Sequence, residues 1–205
     1  MGRSKILQAG KSYSFRQYFE MPYEPDEILA EFGYELTLEK LTLPKVSQTL
    51  ERLPALRQQM EDVLPFVSLS SEMARREVLV SPVLMEVVRL CHCQLRIEYP
   101  LVVNDWLKGS LDYLLRSQAS VAVVEAKRDD LSRGFTQLAI ELIALAETDE
   151  RDIVYGAVTI GEAWRFGKLN RLNRNISQDL TLYKVPDELE QVLATLVGIM
   201  QENPD

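Results

Sequence analysis

Hydrophobic spacing divides the chain into helical and extended stretches. Pro25-Asp26-Glu27 can open a short helix through Phe32, with Gly33 ending it. From Tyr34 to Leu43 apolar and polar positions alternate, Tyr34, Leu36 and Leu38 against Glu35, Thr37 and Glu39, which predicts a strand of the kind a hairpin uses. Val46 to Leu64 carries Leu50, Leu53, Leu56, Met60 and Leu64 at three- and four-residue spacings and predicts a helix. Ser70-Ser71 can cap another from Glu72 to about Leu90. Pro82 inside it demands a kink or a restart, which Ser81 can cap.

Leu95 to Tyr99, Gly109 to Arg116 and Val121 to Lys127 read as strands. Ser132 to Glu147 reads as a helix with Phe135, Leu138, Ala139, Leu142 and Ile143 on one side. Asp152 to Thr159, Ala163 to Leu169 and Leu180 to Val185 read as further strands, and a helix capped by Asp187 closes the chain near Gln201. Helices on both sides of a mixed sheet bury these faces economically. The expected fold class is therefore α/β, a mixed β-sheet flanked by helices. Residues 71–205 form its core, and residues 1–70 an N-terminal helical and strand extension packed on it within one compact domain. Tyr13, Phe15, Tyr18 and Phe19, set among polar residues, mark the start of that extension as a docking arm.

Composition narrows the function. With 46% hydrophobic and 26% charged residues the chain is an ordinary globular one, and no apolar run approaches the length of a membrane span. Met1 to Lys5 leads into no apolar signal segment, and Gly2 alone does not make a myristoylation site. Cys91 and Cys93 flank the single histidine, His92, a spacing that rarely makes a structural disulfide and suits a reducing cytoplasm. One histidine leaves a zinc site short of ligands and a serine triad without a base other than His92. The net charge of -8 counts against a passive DNA-binding module, and less against an enzyme whose carboxylates hold cations. No Gly-rich phosphate loop of Walker type is present.

The chemistry concentrates in one predicted hairpin. Gly109-Ser-Leu-Asp112-Tyr-Leu-Leu and Val121-Ala-Val-Val-Glu125-Ala-Lys127 are joined by Ser117-Gln-Ala-Ser120. A turn centred between Gln118 and Ala119 sets Asp112 directly opposite Glu125, with Lys127 on the same face. A one-residue change in the loop would instead send Asp112 to the other face. Two carboxylates facing each other repel, and a divalent cation between them removes the penalty. With waters and the Ala126 carbonyl they make an oxygen site for Mg²⁺ or Mn²⁺. A cation there would acidify a water, and Lys127 could orient that water and offset developing negative charge. The plain alternative is a Glu125–Lys127 surface ion pair beside a solvated Asp112.

An acid, a hairpin and then Glu-x-Lys at a strand end resembles the PD-(D/E)xK nuclease superfamily, with its restriction-endonuclease-like fold. Four segments carry the likeness in order: the leading helix from Ser71 through Glu77 to Leu84, Val-Val-Glu125-Ala-Lys127-Arg, Gln137-Leu-Ala-Ile-Glu141, and Tyr155 to Phe166. They are similar to the nuclease domains of type I restriction subunits and to uncharacterised bacterial relatives. The likeness covers residues 71–185; Leu111 stands where the superfamily name has a proline. It implies that Asp112 and Glu125 are metal ligands and Lys127 the catalytic lysine. It also implies Glu77 as an outer acid and Gln137 near the metal-water network or the substrate, supported by Glu141. Solvated helix side chains are the plain alternative for Glu77 and Gln137. Asp129 and Asp130 belong to a solvated loop approaching the next helix, and Trp164 and Phe166 read better as core than as base-stacking groups.

For substrate, the most basic stretch offers Arg165, Lys168, Arg171 and Arg174 as phosphate contacts, or equally as a solvated hairpin face. The expected function is a metal-dependent endonuclease acting on DNA, with a homodimer or a partner protein as the route to a two-strand cut. A catalytically inactive nuclease-fold interaction module in a defence or repair assembly is the competing expectation, favoured by the acidic surface.

Overall fold

The computed structural model describes residues 6–201. Residues 1–5, to which the readings on a secretory signal and on myristoylation refer, lie outside the described residues. Two short helices come first, α1 (Phe15–Glu20) and α2 (Pro25–Ala30), followed by strand β1 (Glu35–Glu39). Helix α3 (Leu53–Val63) leads to a helical segment in three parts: α4 (Glu72–Arg75), a π-helical turn at Arg76–Val80, and α5 (Ser81–Cys91). Strands β2 (Gln94–Val102), β3 (Lys108–Arg116) and β4 (Val121–Ala126) precede helix α6 (Leu131–Ala146). Strands β5 (Ile153–Thr159), β6 (Ala163–Asn170), β7 (Asn175–Asp179) and the two-residue β8 (Tyr183–Lys184) precede α7 (Leu189–Gln201).

The architecture is α/β, with an eight-stranded mixed sheet flanked by helices. Its order is β1-β7-β6-β5-β4-β3-β2, and β8 pairs with β6. Among the described strand pairs, β1–β7 and β4–β5 run parallel and the others antiparallel. One hydrophobic cluster covers one face of the sheet with Leu79, Val83 and Leu84 of the α4–α5 segment and Leu193 and Leu196 of α7. A second covers the other face with Phe15 and Tyr18 of α1, Ile28 and Leu29 of α2, and Phe135, Leu138 and Leu142 of α6. Strand β4 shows why both form: Ala122, Val124 and Ala126 point into the first cluster, and Val121 and Val123 into the second.

Four expectations need correcting. The alternating stretch after Tyr34 does not form a hairpin but joins the sheet edge parallel to β7, Glu35 opposite Asn175. The helix expected from Val46 begins only at Leu53, because Pro54 lacks an amide hydrogen and fits a first turn rather than an interior. Ser81 does not cap the restart at Pro82; the proline sits in the first turn of α5, directly after the π turn. The strand expected at Leu180 to Val185 is mostly displaced to β7, whose buried Ser177 and Asp179 hide the apolar alternation a strand usually shows. The Asp179 carboxylate accepts the Leu41 and Thr181 amides, so polar side chains do the packing there.

Candidate active site

The β3–β4 hairpin has the register the sequence predicts. Tyr113 pairs with Val124 and Arg116 with Val121, and the Ser117 amide donates to the Ser120 carbonyl (2.9 Å) to close a tight turn. The ladder stops at Tyr113, one residue before Asp112 would meet Glu125. There Asp112 Oδ2 accepts the Ala126 amide at 2.9 Å, so a side chain takes over the last rung. On its other side β3 pairs with β2 through Ile97–Tyr113 and Tyr99–Leu111, and Glu98 between those rungs adopts φ 52°. A non-glycine residue in that left-handed region is strained, and Glu98 stands in the cleft wall with its carboxylate on Arg76.

Around this fork lies a cleft of about 690 Å³, lined by Asp112, Glu125, Lys127 and Gln137 among others. Glu125 is 1% exposed and Lys127 donates to its Oε1. Gln137 Nε2 donates to Glu125 Oε1 (2.6 Å) and to Glu141 Oε1 (2.8 Å), so one amide bridges two buried acids. Glu125 Oε2, Gln137 Oε1 and Glu141 Oε2 are buried without a hydrogen-bond partner. Burial, reinforced by the Asp112 charge, pushes the Glu125 carboxyl up to about 8. Burial and then Glu125 raise Glu141 well above the carboxylate range, and burial raises Asp112. Burial works against a charged Lys127, but Glu125 outweighs it and the ammonium is held above its usual value.

Packing fixes the lysine. Its amide donates to the Thr159 carbonyl (2.7 Å), and its Nζ lies 5.2 Å from the Phe19 ring centroid. Gly134 in the first turn of α6 lets the helix close on it: a Cβ there would come within 3.0 Å of Lys127 Cγ. Asp130 caps that helix, its Oδ1 accepting the Arg133 amide at 3.0 Å.

Other groups in the cleft are not where the sequence reading looked. Glu77 is exposed and does not line the cleft; Glu72 and Arg76 do, being four residues apart and so on one helical face. Arg76 is nearly buried. Its Nη1 meets Glu98 Oε1 (2.5 Å) and Asp112 Oδ1 (3.6 Å), and its Nε donates to the Tyr113 hydroxyl (3.2 Å). Arg165, Lys168, Arg171 and Arg174 do not line the cleft either. Arg171 donates to the Asp149 and Glu150 carbonyls, and Arg174 covers the Tyr34 ring. Trp164 and Phe166 are fully buried core residues, as expected. Helix α1 adds Ser14, Phe15, Arg16, Phe19 and Glu20 to the cleft wall. Only the aromatic pattern at its start hinted at such docking, and nothing linked it to the acids. Cys91 and Cys93 are free thiols away from the cleft.

Among the described residues no three His, Cys, Asp or Glu side chains form a metal-holding group, and no helix is long and apolar enough to cross a membrane. Mg²⁺ commonly takes one or two protein carboxylates and completes its shell with water and phosphate oxygens. Asp112 and Glu125 meet that lower requirement. The partnerless, buried Glu125 Oε2 fits a cation, because an unpaired carboxylate oxygen in a dry site is costly. Comparison with protein-family models, curated proteins and solved structures finds no significant match.

Proposed function

We propose that this chain is a metal-dependent nuclease of the PD-(D/E)xK kind, with a restriction-endonuclease-like core, that hydrolyses phosphodiester bonds in DNA. The observation that carries the reading is the convergence of Asp112, Glu125 and Lys127 at one hairpin fork inside a cleft. In hydrolysis a water oxygen attaches to phosphorus, one P–O ester bond breaks, and the departing oxygen takes a proton, leaving a phosphomonoester and a hydroxyl. Asp112, Glu125 and the Ala126 carbonyl would hold Mg²⁺ or Mn²⁺. A divalent cation bound there supplies Lewis acidity and a more acidic water. The Lys127 ammonium would orient the attacking water and offset charge on the phosphoryl oxygens. Gln137 and Glu141 set the orientation of Glu125 through the bridging amide. Arg76, beside Asp112 and paired with Glu98, is another cation in the cleft wall.

The test is a cleavage assay with Mg²⁺ or Mn²⁺ on several nucleic acids. Lys127→Ala and Asp112→Ala are both expected to lower the rate by at least about 10²-fold, the scale of losing a positioned charge or proton-transfer group. Cutting that survives both substitutions would belong to a contaminant. The competing reading, a non-catalytic interaction module, draws on the net charge of -8. It predicts no cutting of any substrate and no Mn²⁺ binding.

A further inference from the structure

The cleft walls carry information that the acids and lysine do not. Helix α1 is a fixed wall. The Tyr18 hydroxyl donates to the Trp106 carbonyl (2.7 Å), the Tyr13 amide to the Asp105 carbonyl (2.8 Å) and Trp106 Nε1 to the Lys11 carbonyl (3.1 Å). Phe15 lies so close on Gly109 that a Cβ there would come within 2.7 Å of its ring. This wall belongs to the same helical layer as α6, while Glu72 and Arg76 come from the opposite layer, so the cleft runs between the two.

Its size and charge choose among substrates. A volume of about 690 Å³ falls in the range of ligand-binding clefts, roughly 300–1,000 Å³. A double helix is gripped from outside, by cations that replace its counterions. Here each cation in the cleft already faces an acid: Arg16 with Glu20, Arg76 with Glu98, Lys127 with Glu125, and Arg128 with Asp129. What the cleft offers is a half-buried aromatic ring, Phe19, next to Lys127. Aromatic rings in narrow grooves hold unpaired bases by stacking, with little regard to sequence.

We propose that DNA enters this cleft as a single strand, with a base stacked on Phe19 and a neighbouring phosphate at Asp112, Glu125 and Lys127. The proposal rests on the hydrolytic reading above and adds the class of substrate. It also removes the need for a second active site, because one strand is cut at a time.

The full chain is incubated with Mn²⁺ and either a short labelled DNA strand or the same strand annealed to its complement, and binding is followed by fluorescence anisotropy with Ca²⁺ replacing Mn²⁺. The strand is expected to be cut roughly tenfold faster than the duplex, the scale of one stacked base. Phe19→Ala is expected to weaken strand binding by a similar factor, and Phe19→Trp to retain it. A duplex cut as fast as the strand, with Lys127→Ala abolishing both, overturns the substrate class and leaves the hydrolytic reading standing. No cutting of either, with no Mn²⁺ binding, overturns both. The wild-type strand-to-duplex comparison decides the matter even if Phe19→Ala melts early.

Discussion

At the scale of single residues, the expensive feature is a pair of acids, Glu125 and Glu141, held in the interior by one amide. A carboxyl whose pKa is raised by folding holds its proton more tightly in the native chain than in the unfolded one. Between the ordinary value of 4.5 and about 8 for Glu125, the native state binds more protons, so stability falls as pH rises. In EDTA the melting temperature is therefore expected to drop from about pH 5 to about pH 8, and Glu141→Gln should flatten that slope by removing one acid. A flat or rising profile in the wild type would mean that the charges are relieved by something other than protons. The acids and the lysine were legible in the sequence because they share one hairpin, where a short turn fixes which residues face each other. Arg76 and Phe19 were not, because the approach of Arg76 to Asp112 and of Phe19 to Lys127 is made only by tertiary folding.

Among elements, α6 does most to shape the site. It brings Gln137 and Glu141 to Glu125, and its glycine turn rests on the lysine stem. Gly134→Ala would press a methyl to within 2.8 Å of Val158 Cγ2 as well as against Lys127. The expected cost is about 1–3 kcal/mol in denaturant melts, the usual range for overpacking, together with slower cutting as Lys127 is displaced. An unchanged melt would show that the helix has slack to yield. Periodicity revealed α6 and the strands β2 to β6 well, since their inward positions are apolar. It failed at β7, where Ser177 and Asp179 are buried, and at the helix expected from Val46, where Pro54 sets the true start. The basic run from Arg165 shows a related limit: counting charges does not reveal that Arg171 donates to nearby carbonyls and Arg174 covers a tyrosine ring.

For the molecule as a whole, the proposed single-strand substrate makes a prediction about salt. Single strands release about 0.7 counterion per phosphate contact, so the four cations in the cleft allow a slope of log affinity against log salt no steeper than about -3. A titration of strand binding in KCl that gave a much steeper slope would mean that a distant basic face, such as the Arg165 to Arg174 run, takes part after all. The wall that narrows the cleft has a history along the chain as well. Tyr18 leans on Trp106, 88 residues further on, and that partner belongs to the turn leading into β3. A chain made from its N-terminus carries its first aromatic helix for most of that distance before the carbonyl that anchors it exists. The acid and lysine hairpin can pair as soon as its own short turn is made, so one wall of the cleft depends on a contact of far longer reach than the fork it stands beside.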